Sequence, residues 1–359
     1  MPDFVYGNTR LRARRAGLLV RRDFESMVGL GVDELLGALS ATAYAPDIER
    51  ALPGRHGVRR LHQAVRAHLA RVLDEMRGFY RGGARTIDDL LLARWDLGNL
   101  LALIRGQASG ASVEDVLAAI VPLGGIDDAV AREVARQRSF SAAIALLSAW
   151  RLPTPHDASS LLDAWPEFER THDLQALEAH LTAAHIEHVT AQLTSMGAAG
   201  EPVRAAVAQQ IDAHNLLAAL RLREALVGGE RDELSADDRH RALMPGGALA
   251  PATLLAAMEP GAPDNVLLAL ARDPAPRWWL EPLRRWVESG DLIALQDAVQ
   301  AALTADALAR FEREDPLGAG IPVAFTAAKE LEARNLRMLG DAGAHHADPA
   351  VTRARLVLV

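Results

Sequence analysis

Apolar side chains recur at three- and four-residue spacings along most of the chain. Residues 61–77 place Leu61, Val65, Leu69 and Val72 on one stripe, the pattern of an amphipathic helix that buries one face. Similar stripes predict helices over 86–105, 130–150, 173–194, 203–222, 279–303 and 322–339. Convincing alternation of apolar and polar residues is absent, so no strand is expected. The pattern therefore predicts an all-α fold.

One short motif occurs three times: an acidic residue, an asparagine three positions later, and a leucine directly after it. The acid–asparagine pairs are Asp96 and Asn99, Asp212 and Asn215, and Glu332 and Asn335. Their asparagines are separated by 116 and 120 residues, and similar proline–glycine strings at 122–125 and 245–247 keep the same phase. Self-similarity at a fixed period indicates repeated structural units. We therefore expect three similar helical modules, residues 1–121, 122–244 and 245–359.

Each polar pair falls inside the apolar stripe of its helix, because successive helical residues turn by about 100°. Around Asn99, for example, Leu91, Trp95 and Leu103 lie on the same side. The pairs could form a buried network that fixes the helix to a neighbouring loop or helix end. Alternatively, they could form an acid–base or metal site. No nucleophile or histidine recurs at matching positions, which favours the structural interpretation.

The composition excludes several kinds of chemistry. The 359 residues contain no cysteine, which rules out disulfides, thiol catalysis, cysteine-ligated zinc and iron–sulfur clusters. Lys329 is the only lysine and lies outside any GxxxxGK(S/T) string, which argues against a P-loop or Schiff-base enzyme. The net charge of −8 argues against nucleic acid as the main partner. We expect no bound cofactor.

The usual sequence signals for membrane insertion are missing. The arginine-rich start, residues 1–22, lacks the apolar core of a signal peptide. The longest uncharged stretch, 242–258, is shorter than the ~20 apolar residues of a spanning helix and contains prolines and glycines. We therefore expect a soluble protein.

One group of histidines has the density of a metal site. His180, His185 and His188 lie close together, with Glu178 and Glu187 beside them. Helical zinc ligands usually stand four residues apart, whereas these histidines are offset by five and three. His185 and His188 share a face and could join an acid to hold a metal. The alternative is a set of polar positions on an exposed helix, and we expect no metal.

The strongest charge feature is a run of six arginines near the start: Arg10, Arg12, Arg14, Arg15, Arg21 and Arg22. They could belong to a solvated helix with surface salt bridges, each worth little. They could also form an electropositive patch for an acidic partner or for membrane headgroups. We retain Arg10, Arg12, Arg14 and Arg15 as the candidate partner-contact patch.

Several short strings occur in a fixed order along the chain. They begin with YGNTRLRAR from Tyr6, continue through the first two acid–asparagine strings, and end with PLG from Pro316, KELE from Lys329 and NLR from Asn335. Together these strings resemble the C subunit of prokaryotic V-type (archaeal-type) ATPases, the counterpart of the d subunit of the eukaryotic vacuolar proton pump. One departure is the pair of histidines, His185 and His188, at positions where the family would have aromatic residues.

The resemblance implies a funnel of three similar helical modules with pseudo-threefold symmetry. In that family the subunit lies on the cytoplasmic end of the membrane rotor ring and receives the rotor shaft. It transmits torque between ATP chemistry and ion movement, binds no nucleotide and is not itself an enzyme. The expected partners are therefore the shaft subunits and the membrane ring, with one copy of the chain in a hetero-oligomeric complex peripheral to the membrane.

Two alternatives come from other functional classes. The first is an α-helical metal-dependent enzyme centred on His185 and His188. The second is an α-solenoid scaffold for unrelated partners, since stacked helical repeats also build extended binding surfaces.

Overall fold

The computed structural model describes residues 2–51, 56–229, 235–275 and 277–358, with the backbone alone at 236 and 237. These residues form helices joined by short connections, and the single β-type contact among them is an isolated bridge between Leu123 and Ile126. The all-α prediction is therefore confirmed.

Nineteen α-helices lie in the described ranges, with one short 3-10 turn at Gly197–Ala199. The helices are α1 (Val5–Arg15), α2 (Arg21–Met27), α3 (Val32–Leu39), α4 (Ala45–Arg50), α5 (Gly57–Arg77), α6 (Gly82–Ser109), α7 (Val113–Ala119), α8 (Asp128–Ala135), α9 (Phe140–Ala149), α10 (Pro155–Thr171), α11 (Leu174–Ser195), α12 (Glu201–Val227), α13 (Ala236–Arg241), α14 (Pro251–Met258), α15 (Pro263–Ala271), α16 (Leu280–Ser289), α17 (Leu292–Arg313), α18 (Gly320–Ala344) and α19 (Pro349–Arg355).

Three long helices, α6, α12 and α18, carry the repeated acid–asparagine pairs. Each follows another long helix after a short turn, and that preceding helix packs against a different member of the three. Thus α11 packs on α6, α17 packs on α12, and α5 packs on α18. Through the contact between α5 and α18, the N-terminal part of the chain packs against its C-terminal part.

The buried apolar residues form three clusters that are shared along the long helices. The first halves of α6 and α12 join most of α18 and the helices α1–α5 in one large cluster. The second half of α6 packs with α7–α11 in another. The second half of α12 packs with α14–α17 in the third. Because α6 and α12 each belong to two clusters, these helices tie the clusters together.

Two segments predicted as single helices are each divided in two. Residues 130–150 form parts of α8 and α9, and Ser139 caps α9 by accepting a hydrogen bond from the backbone N–H of Ala142. Residues 279–303 contain α16 and the start of α17, separated by Gly290 in the left-handed region (φ 68°). A glycine with positive φ commonly ends a helix. The spacing of apolar residues continues on both sides of Gly290, so the sequence pattern does not reveal the break.

Helix α17 is the one described helix that is long and apolar enough to cross a membrane by length and composition. No span was predicted in this segment. The helix packs against α12, α16 and α18, and Asp297 within it forms an ion pair with Arg334 of α18 at 2.6 Å. One side of α17 is therefore packed against neighbouring helices of the same chain.

Candidate functional site

Each repeated asparagine pairs its side-chain amide with the backbone N–H and C=O of a single residue beyond its helix. Such a pairing satisfies both halves of the amide, which are buried in all three cases. In each pair the asparagine Nδ2 donates to the backbone oxygen and its Oδ1 accepts from the backbone N–H. Asn99 binds Val121 in this way at 2.6 and 2.9 Å, and Asn215 binds Met244 at 2.9 and 2.8 Å. Asn335 binds Val357 at 2.9 and 3.3 Å.

Two of the three acidic side chains bind the same loop as the asparagine of their own motif. The backbone N–H of Gly125 donates to Oδ1 of Asp96 at 2.7 Å, and that of Leu249 donates to Oδ1 of Asp212 at 2.9 Å. Burial raises the pKa of Asp96 to about 6 and also raises the pKa of Asp212. Asp96 and Asn99 therefore fix one loop together, as Asp212 and Asn215 fix another.

The glycine strings that marked the repeat lie directly against these carboxylates. A Cβ atom on Gly124 would overlap the carboxylate of Asp96, and one on Gly247 would overlap Oδ1 of Asp212. Gly124 also has a φ of +85°, which side chains other than glycine rarely adopt. In both motifs the acidic side chain therefore packs directly against the glycine string, which leaves no room for a larger residue there.

The third acid, Glu332, binds different partners. Its Oε1 accepts from the backbone N–H of Leu19 at 2.8 Å, and its Oε2 accepts from the hydroxyl of Tyr44 at 2.9 Å and from Nζ of Lys329 at 2.7 Å. The sequence did not predict Tyr44 in this role, since a single tyrosine gives no periodic signal. Glu332 joins α18 to the N-terminal part of the chain.

The network continues from Lys329 to a buried histidine. Lys329 Nζ lies 3.3 Å from Nε2 of His68, whose Nδ1 lies 2.9 Å from Oδ2 of Asp47. Burial and the nearby Lys329 ammonium lower the pKa of His68 to about 4, so its ring is neutral and can accept from Lys329. Burial tends to raise the pKa of Asp47, but hydrogen bonds from Arg71 and His68 outweigh it and lower the pKa.

The histidines considered as metal ligands are held by other contacts. His185 is buried, with Nδ1 2.8 Å from Oδ1 of Asp157, and His188 stacks on His156 with ring centroids 4.1 Å apart. His180 is exposed. Within the described ranges no three histidine or acidic side chains converge in a way that could hold a metal.

The candidate arginine patch lies on α1, and its members have different partners. Arg14 pairs with Glu75 and Arg15 with Glu312, both at 2.6 Å. Arg12 Nη2 lies 3.5 Å from the carbonyl oxygen of Phe311. The Arg10 guanidinium lies over the ring of Phe79, 5.0 Å from its centroid.

A cavity of about 520 Å³ lies where α6, α12 and α18 approach one another, with α5 and α17 completing its wall. Apolar side chains form most of its wall, and amide and guanidinium groups stand among them: Arg94, Gln209, Gln210, Gln296, Gln300, Arg334 and Arg337. An ion pair between Arg94 and Glu330, at 2.6 Å, joins α6 to α18 beside the cavity. The sequence did not predict this polar lining, because its residues are scattered over several helices.

Comparison with known proteins yields one consistent family. The family described as ATP synthase (C/AC39) subunit matches residues 7–354. The V-type ATP synthase C subunit of Deinococcus radiodurans is 28% identical over 95% of this chain and 87% of its own length. The A-type ATP synthase C subunit of Haloferax volcanii is 26% identical over 100% of this chain and 98% of its own. The V-type ATP synthase C subunit of Thermus thermophilus is 27% identical over 94% of this chain and 93% of its own length.

A family match over nearly the whole chain and near-full-length relatives of one kind agree with the resemblance seen in the sequence motifs. The chain belongs to the ATP synthase (C/AC39) subunit family, which includes C subunits of V-type and A-type ATP synthases.

Proposed function

We propose that this chain is the socket that links the rotor shaft to the membrane rotor ring of a V-type ATPase or synthase and transmits torque between them. Its position would be the cytoplasmic face of the membrane, held there by protein contacts. The role needs two separable binding surfaces, one for the shaft and one for the ring. It requires no nucleotide, metal or cofactor in this chain.

The observation that carries the proposal is the central cavity. It is bordered by all three helices that bear the acid–asparagine motif, the arrangement expected if three similar modules, 1–121, 122–244 and 245–359, surround an axis. A shaft received on that axis would contact every module. The glutamine side chains within its largely apolar wall can donate hydrogen bonds to the end of a shaft.

A part that transmits torque must resist being sheared apart, and the contacts between the long helices support such rigidity. The Arg94–Glu330 ion pair joins α6 to α18. The network from Glu332 to Tyr44 and Leu19 joins α18 to the start of the chain. These contacts close the chain on itself, which favours a socket over an open solenoid.

The proposal is tested by separate binding to the isolated shaft subunits and to the detergent-solubilised ring. Gln210 is exposed within the cavity, so Gln210→Trp should obstruct it. We expect weaker shaft binding and unchanged ring binding. The matched control is Gln175→Trp, at an exposed position on α11 that does not border the cavity, which should bind both as the unmodified chain does. A chain that binds neither partner would contradict the proposal.

A further inference from the structure

Helix α1 is fixed tightly along one side. Asn8 is buried, and its Nδ2 donates to the carbonyl oxygens of Pro316 and Gly318 at 2.8 and 2.9 Å. The hydroxyl of Tyr80 donates to Asn8 Oδ1 at 2.8 Å. Leu11, on the same side, is fully buried. The helix therefore lies across the turns that precede α6 and α18, and its other side faces outwards.

The outward side carries large apolar and cationic groups. Tyr6 is 61% exposed and Val5 51% exposed. The Tyr6 ring meets the Phe79 ring edge-on, with centroids 6.5 Å apart. One turn further along, the Arg10 guanidinium lies 5.0 Å from the Phe79 centroid and 5.8 Å from the Tyr6 centroid. Tyr6 and Arg10 are thus held in place while remaining accessible.

Two of the four arginines on α1 form ion pairs, whereas Arg10 and Arg12 form none with any described residue. Arg14 and Arg15 are neutralised by Glu75 and Glu312. Arg10 forms no ion pair with any described residue, and its close contacts are the two aromatic rings. A guanidinium supported by rings and open to solvent can still bind a carboxylate through two parallel hydrogen bonds.

We propose that Tyr6 and Arg10 form a docking point for a carboxylate-bearing segment of another subunit of the same complex. The inference rests on the proposed function, because it takes the partner from that assembly. Arginine and tyrosine are enriched among the few interface residues that contribute most of the binding energy. Their fixed positions on Phe79 reduce the conformational entropy lost on binding.

Charge argues for a protein partner over a lipid surface. Recognition of anionic headgroups usually involves clusters of about four to eight basic residues, whereas α1 offers two arginines, Arg10 and Arg12, that form no ion pair with a described residue. An acidic protein segment needs only one of them, provided that an apolar group can pack on Tyr6 and Val5. The chain is acidic as a whole, so a positive point on it also selects the orientation of an acidic partner.

The test measures binding of the full chain to a complex from which this subunit has been removed, at low and high salt. Arg10→Gln and Tyr6→Ala should each weaken binding about tenfold or more, and Arg10→Gln should also reduce the dependence of binding on salt. Arg138→Gln removes another exposed arginine, far from α1 in sequence, and should bind like the unmodified chain. Equal binding by all four proteins would overturn the inference.

Three further results separate the possible failures. If the unmodified chain does not bind the depleted complex at all, the proposed function fails with the inference. If it binds and restores coupled pumping, but Arg10→Gln does so equally well, only the inference fails. If Arg10→Gln loses binding to phosphatidylglycerol vesicles while its binding to the complex is unchanged, the site recognises lipid and the inference is overturned.

Discussion

The ammonium nitrogen of Lys329 lies 3.3 Å from Nε2 of His68, across 261 positions of sequence. Lys329 is the only lysine in the chain, and both it and its ion-pair partner Glu332 are buried. Since His68 has a pKa of about 4, its ring is neutral and accepts a hydrogen bond without repelling the cation. This contact joins α5 to α18, and so the first part of the chain to the last.

Removing the cation from this network should destabilise the fold strongly. Lys329→Met leaves the Glu332 carboxylate buried without its counter-ion, and breaking a buried pair in this way costs about 3–5 kcal/mol. We expect that loss in the free energy of unfolding, measured by urea denaturation. The double variant Lys329→Met, Glu332→Gln has no unpaired charge and should lose less than the sum of the two single variants. Additive losses would show that the two residues do not act as a pair.

The repeated asparagines should contribute stability at each of their three positions. Asn99→Ala and Asn215→Ala each leave a partly buried backbone N–H and C=O, those of Val121 and Met244, without a side-chain partner, at a cost of about 1–3 kcal/mol. Thermal unfolding with each variant checks this. Asn265→Ala, at an exposed asparagine, should change stability by less than about 0.5 kcal/mol. A variant at Asn99 or Asn215 with unchanged stability but lost assembly would instead indicate a binding site.

Two glycine-to-alanine substitutions, one in a glycine string and one within α6, should change the free energy of unfolding in opposite directions. Gly124→Ala forces a Cβ atom against Asp96 at a φ of +85°, so we expect a loss of about 1 kcal/mol or more. Gly98→Ala lies in the exposed interior of α6, where the new Cβ meets nothing within 4 Å. It should stabilise the protein by about 0.5–1 kcal/mol. Equal effects from the two variants, in urea denaturation, would contradict the contact between the loop and Asp96.

Asp88 should make stability depend on pH. Its carboxyl is fully buried with no hydrogen-bond partner among the described residues, and burial raises its pKa to about 8. Because the folded state then holds this proton more tightly than the unfolded state, the contribution is complete below pH ~4 and is lost as pH rises through about 8. Asp88→Asn should remove this part of the decline. Parallel pH profiles for both proteins between pH 5 and 9 would contradict it.

The sequence predicts well those features that repeat or that follow a helical period. The stripes of apolar residues predict α5, α6, α11, α12 and α18, because each helix buries one face. The acid–asparagine motif marks polar contacts that recur at equal spacing, and in each case the structure places the asparagine on a backbone segment. Here the local pattern and the tertiary contact coincide.

Features built from distant, unrepeated residues could not be predicted in this way. Glu332 occupies the same motif position as Asp96, yet it binds Tyr44 and Leu19, because the N-terminal part of the chain packs on α18 where the other two long helices meet a following loop. The arginines of α1 also look equivalent in sequence. Only the positions of Glu75 and Glu312 distinguish the paired Arg14 and Arg15 from Arg10, since the guanidinium groups of both Arg10 and Arg14 lie over the Phe79 ring.

The most direct test of the torque-transmitting role compares ATP hydrolysis with ion pumping in vesicles that contain the complex with and without this chain. If the chain is a socket without catalytic groups, its removal should leave hydrolysis by the catalytic head largely intact and abolish pumping, and adding the purified chain back should restore pumping. Normal pumping without the chain, or ATP turnover by the purified chain alone, would contradict the account.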